Sequence, residues 1–101
     1  MSPEQAADRI IRILEDAGYK QAKVRKSHAV LSRGYILGVD SRKRDVTIEF
    51  AEPEGVKSKF TPSAMCQAYQ TALKGTGYKI TLHDENTHCN VQPPVHLHIK
   101  V

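Results

Sequence analysis

Two periods of hydrophobic and polar residues alternate along this chain. Between Pro3 and Gly18, the apolar residues Ala7, Ile10, Ile11, Leu14 and Ala17 recur at helical spacing. Between Pro62 and Gly77 the same period returns through Ala64 or Met65, Ala68, Tyr69, Ala72 and Leu73. Both stretches carry the same punctuation. Ser2 and Thr61 suit the N-cap, because a hydroxyl can accept from the first unpaired amides. Pro3 and Pro62 suit the first helical position, and Gly18 and Gly77 suit the left-handed turn that ends a helix. Gln5 completes a capping box with Ser2. The spacing from cap to glycine is the same in both stretches. The match is read as two helices stopped by the same chemistry, since the segments that follow them align poorly.

Elsewhere the period is two, which predicts strands. In KQAKVRK (20–26), Ala22 and Val24 are expected inward, with Lys23 and Arg25 outward. GYILGVD (34–40) and DVTIEF (45–50) follow, the second with Val46, Ile48 and Phe50 inward. SRKR (41–44) is their hairpin loop. KITLH (79–83) and VHLHIKV (95–101) alternate cleanly and are joined by a polar loop containing Pro93 and Pro94. The predicted order is α-β-β-β-α-β-β. The fold class is α+β, a mostly antiparallel sheet of about five strands with both helices on one face. The other face is left for solvent or a ligand, and shows Lys23, Arg25, Thr47, Glu49, Thr81, His83, His96, His98 and Lys100.

Length and composition keep this picture simple. A chain of 101 residues with no low-complexity tract reads as a single domain, 1–101. No apolar run approaches the ~20 residues that span a bilayer, so no membrane partner is expected. The opening MSPEQAADRI lacks a basic stretch followed by an apolar one, so a cytoplasmic location is expected. Cys66 and Cys89 are accordingly expected as thiols. There is no GxGxxG or P-loop, and no nucleotide cofactor is expected.

Charge changes the picture more. The net charge is +4, but residues 20–44 hold eight Lys or Arg against one acid, Asp40. Such a local field attracts phosphate backbones. The candidate nucleic-acid contacts are Lys23, Arg25, Lys26, Arg33, Arg42, Lys43 and Arg44. A plain solvated surface is the alternative reading of the same residues.

The stretch IIRILEDAGYKQAKVRKSH (10–28) resembles the HicA-type mRNA interferase toxins. In that family a helix ending in glycine runs into a basic strand that closes on a histidine ten residues later. Gly18 and His28 have that spacing here, and Ser27 precedes the histidine. Lys26 stands where the family has glycine. The resemblance covers about half the chain. It implies a double-stranded-RNA-binding-like α-β-β-β-α fold, a toxin–antitoxin setting, and His28 as the catalytic residue. An imidazole can act as a base on a ribose 2′-hydroxyl near neutral pH, and Arg25 and Lys26 could neutralise the phosphate.

The segment HDENTHCNVQPPVHLHIK (83–100) holds four of the five histidines. If its two strands pair, His83, His96 and His98 share the open face, with His88 or Cys89 available as a fourth ligand. No cofactor is expected, because exposed strand positions suit histidine without a metal; zinc is the one candidate, although the spacing matches no zinc finger. The function read from the sequence is a small domain that binds RNA or DNA, with a HicA-like ribonuclease as its enzymatic form. The competing reading is a non-enzymatic interaction module, such as a phage- or mobile-element-encoded regulator or inhibitor that binds a host protein. An edge strand could also pair two copies into a homodimer. A basic surface joining 23–26 with 42–44 would favour nucleic acid. An exposed apolar patch around Tyr35, Ile36 or Val30 would favour a protein.

Overall fold

The computed structural model describes residues 2–27, 29–55, 59–83 and 95–101. Helix α1 spans Pro3–Asp16 and α2 spans Pro62–Ala72. Strands β1 (Gly34–Asp40), β2 (Asp45–Ala51), β3 (Lys79–His83) and β4 (His96–Lys100) form one antiparallel sheet in the order β1-β2-β4-β3.

The caps do what their residue types allow. The Gln5 amide donates to Ser2 Oγ at 3.1 Å, and the Ser2 amide donates to Gln5 Oε1 at 2.9 Å. The Ala64 amide donates to Thr61 Oγ1 at 3.1 Å. Helix α1 gives way at Gly18, φ 95°, where the amides of Gly18 and Tyr19 close the last turn on Glu15 and Leu14. Helix α2 stops sooner than its spacing predicts, because Gly75 (φ 95°) takes the left-handed conformation ahead of Gly77.

One layer of apolar side chains lies between the helices and the sheet. Ile10 and Leu14 of α1, Cys66 and Tyr69 of α2, and Leu73 at the C-cap of α2 meet Tyr35, Val46, Ile48, Leu97 and Ile99, all buried. Tyr69 sits edge-on to both Tyr19 and Tyr35, with ring centroids at 5.1 and 5.8 Å. Ala17, expected inward, is exposed. Among the described residues no helix is long and apolar enough to cross a membrane.

The sheet has four strands where the sequence pattern predicts about five, and the order is α-β-β-α-β-β. The difference is KQAKVRK. Residues 20–22 run beside the start of β1, where the Ala22 amide donates to the Tyr35 carbonyl and the Tyr35 amide to the Lys20 carbonyl. The chain then leaves the sheet and pairs with itself: the Arg25 amide donates to the Ala29 carbonyl, and the Leu31 amide to the Lys23 carbonyl. Alternation was present, but Ala22 and Val24 are small and offer little area to bury among four cations. Val24 ends 42% exposed.

The order is symmetric about the β2–β4 pair. Each half runs helix, edge strand, central strand, with Thr47 paired to His98 at the middle. The connections break the resemblance between halves. A long excursion separates α1 from β1, whereas β3 follows α2 after a few residues; a four-residue turn joins β1 to β2, whereas residues 84–95 join β3 to β4. Sequence offsets set by the helices therefore fail at the strands.

Candidate nucleic-acid interface

With both helices on one face, every second residue of the four strands is presented on the other. Strand register arranges these residues in three rows across the sheet. The first is Ile36, Glu49, His96 and His83; the second is Gly38, Thr47, His98 and Thr81; the third is Asp40, Asp45, Lys100 and Lys79. The sequence pattern placed most of this face correctly. It had no means of pairing the rows, because register across β2 and β4 is a long-range property.

The imidazoles meet at one end of the face. His83 and His96 are stacked, with centroids 4.9 Å apart and planes 8° from parallel. His98 lies edge-on to His83, at 5.8 Å and 82°. Stacked rings do not aim their nitrogens at a common point. Among the described residues no group of three His, Cys, Asp or Glu side chains could hold a metal ion. His88 and Cys89, the suggested fourth ligands, lie outside the described residues.

The third row is charged. Asp45 is buried, only 6% exposed, and its Oδ2 lies 2.9 Å from His98 Nε2. Lys100 Nζ lies 3.3 Å from Asp45 Oδ1 and donates to the Lys43 carbonyl at 3.3 Å. The hydrogen bond from His98, helped by Lys100, holds the Asp45 carboxyl below the usual aspartate range against the opposing effect of burial. Asp40 stands directly opposite Asp45 on β1. Its Oδ1 accepts from the Arg42 and Lys43 amides, which turns that carboxylate into the hairpin. Lys79 stands opposite Lys100, and among the described residues no carboxylate forms an ion pair with it. A cleft of about 320 Å³ opens here, lined by Lys79, Thr81, His83, His98 and Lys100.

The basic residues singled out in the sequence fall into two groups. Arg42, Lys43 and Arg44 occupy the β1–β2 turn, with Arg44 in the left-handed region at φ 56°. This turn adjoins the charged row: Val101 donates its amide to the Arg44 carbonyl. Lys23, Arg25 and Lys26 occupy the excursion at the opposite end of β1, a strand length of roughly 20 Å away. The two groups do not form one surface. Arg33 is committed internally, paired to Glu52 at 2.9 Å and stacked over Phe60 at 4.9 Å.

His28 lies outside the described residues. Its neighbours Ser27 and Ala29 line a cleft of about 410 Å³ together with Val30, Glu52 and Glu54. Two carboxylates there oppose an anionic ligand. The apolar residues named as a protein-binding signal behave differently from one another: Tyr35 is buried, and Ile36 and Val30 are half-buried. Their neighbours Val24 and Leu31 are exposed, at 42% and 50%.

Asp45 is the residue that sequence reasoning missed. Its position at the head of the strand DVTIEF carries no local sign of a partner. Only the β2–β4 register, which sets it opposite Lys100 and diagonal to His98, gives it a role. Lys79 opens the strand read at KITLH, but the sequence pattern does not set it opposite Lys100. No protein-family model matches this chain, and neither does any curated protein or solved structure.

Proposed function

We infer that this domain binds single-stranded nucleic acid on the open face of its sheet. The observation that carries the reading is the pairing of an imidazole stack, exposed His83 on half-buried His96, with the lysine row Lys79 and Lys100 one strand length away. Unpaired bases stack on flat side chains, histidine among them, while cations track the backbone. The two ends of the face are four residues apart, roughly 14 Å, a span suited to a couple of nucleotides. Arg42, Lys43 and Arg44 extend the cationic end. Duplexes fit this face poorly, because their bases are already stacked and their backbone is convex.

The test is a fluorescence-anisotropy titration of the full chain against labelled single-stranded RNA, single-stranded DNA and duplexes at two salt concentrations. Binding to single strands that weakens with salt, and weakens further in a His83→Ala/His96→Ala variant, supports the reading. Absence of binding at low salt removes it.

A second reading has its own observation. Val24 and Leu31 are exposed on the 23–31 excursion, beside the acidic cleft formed with Glu52 and Glu54. That end of the molecule suits a protein partner better than a phosphate. The HicA-like assignment of His28 would be tested by the same titration with a His28→Ala variant, read for cleavage.

A further inference from the structure

Resting on the nucleic-acid reading, we propose that the cleft between β3 and β4 cleaves RNA by metal-independent transesterification, with His83 and His98 as its acid–base pair. This site is separate from His28, to which the HicA resemblance points.

Cleavage through the ribose 2′-hydroxyl needs one group to take a proton, a second to give one, and positive charge at the phosphate. The cleft contains all three. His83 and His98 line it together, with ring centroids 5.8 Å apart and planes nearly perpendicular. Lys79 and Lys100 line the same cleft from directly opposed positions. Lys100 is anchored by Asp45 at 3.3 Å, whereas among the described residues no carboxylate pairs with Lys79, which leaves that cation for a phosphate. Thr81 lies opposite His98 in the register and adds a hydroxyl to the cleft.

The two imidazoles are not equivalent. Nε2 of His98 is hydrogen-bonded to the buried Asp45 carboxylate at 2.9 Å. A carboxylate in that position orients the ring, fixes which nitrogen carries the proton, and stabilises the imidazolium. With Nε2 held by Asp45, the proton that His98 delivers is the one on Nδ1. His83 is exposed, stacks on His96, and takes the part of the base.

In the step, His83 takes the proton from the 2′-hydroxyl. The electron pair left on O2′ forms a bond to the adjacent phosphorus. The P–O5′ bond breaks, its electron pair leaves on O5′, and His98 delivers a proton there. Lys79 and Lys100 stabilise the added negative charge of the pentacoordinate phosphorus. The products are a 2′,3′-cyclic phosphate and a 5′-hydroxyl. Nothing is oxidised or reduced, and no water or metal enters. The two histidines exchange protonation states, and solvent restores them.

The experiment incubates the full chain with an end-labelled single-stranded RNA in EDTA, beside DNA of the same sequence. Product ends are identified by mass spectrometry, and binding is followed by anisotropy on the same oligonucleotides. RNA is expected to be cut to 2′,3′-cyclic phosphate ends and DNA to remain whole. His83→Gln and His98→Gln are each expected to lose about 100-fold or more in rate at RNA-saturating protein, where any loss of affinity read by anisotropy no longer limits cleavage. Because His98 contacts a buried carboxylate, its variant could fail to fold, which circular dichroism would detect; His83→Gln, at an exposed site, then carries the test. RNA that is bound but uncut overturns this proposal and leaves the binding function standing. RNA neither bound nor cut overturns both. Cutting that survives both substitutions places the chemistry elsewhere and overturns the assignment.

Discussion

His98 and Asp45 meet at 2.9 Å across the central strand pair, one reaching down from the exposed face and the other held almost out of solvent. The contact is diagonal: Asp45 is paired in register with Lys100, and His98 with Thr47. It joins the two halves of the molecule at the place where their central strands meet. It also converts an acid that would sit beside Asp40 at an unfavourable like-charge position into the anchor of a cationic row.

That anchoring has a pH signature. The Asp45 carboxyl is held below its ordinary range in the folded chain, chiefly by the hydrogen bond from His98. A depressed folded pKa means the unfolded chain binds the proton more readily, so the contribution to stability is present above the unfolded aspartate value, about 3.9. It is lost as the pH falls through the folded value. Urea denaturation at neutral pH and near pH 3 should show a larger loss for the wild type than for Asp45→Asn. Parallel losses in the two proteins would mean the contact contributes nothing to this dependence.

Two strand glycines should respond differently to alanine. A Cβ at Gly34 would lie 2.3 Å from the Lys20 carbonyl oxygen and 2.5 Å from the Ala22 nitrogen, both backbone atoms. The 20–22 segment must move away, and Gly34→Ala is expected to cost about 2 kcal/mol or more. At Gly38 the nearest atom is the Thr47 hydroxyl at 2.9 Å, a side-chain terminus that can rotate. Gly38→Ala should cost markedly less, and thermal melts of the two variants decide the order.

Among the described residues, one core hydroxyl has nothing to bond. Tyr35 Oη is buried without a hydrogen-bond partner. Burial accordingly pushes its pKa up. Tyr35→Phe removes the orphaned group and keeps the ring against Tyr69, so stability should stay level or rise. Tyr35→Ala should cost about 3–5 kcal/mol, the range for deleting a buried aromatic side chain. A loss for Tyr35→Phe comparable to that for alanine would contradict the assignment of the hydroxyl as unpaired.

How much of this was legible beforehand varies by element. Both helix starts could be read from S-P and T-P, because capping is local chemistry between residues three apart. KITLH and VHLHIKV could be read as strands, and their outward histidines as neighbours, because alternation is also local. KQAKVRK has the same alternation and forms no strand of the sheet, since what decides is the area its inward residues bury against a partner. The end of α2 was misplaced because two glycines compete there and the earlier one wins. Asp45 could not be assigned at all, as its partners are some fifty residues away and are brought in by the β2–β4 register.

Phosphate contacts should show themselves as a salt dependence. Neutralising Lys79 or Lys100 is expected to weaken binding across sequences and reduce the magnitude of the slope of log K against log salt by about 1 each. Neutralising Lys23, Arg25 and Lys26, at the far end of β1, should leave that slope unchanged. The reverse pattern would place the nucleic acid on the 23–31 excursion.

The most direct test of the open-face assignment is amide chemical-shift mapping of the labelled chain during titration with a short single-stranded RNA. The account predicts shifts concentrated at Thr47, Thr81, His83, His96 and His98, with little change at Val24, Val30 and Leu31. Shifts confined to the excursion, or none on the sheet at saturating RNA, would contradict it.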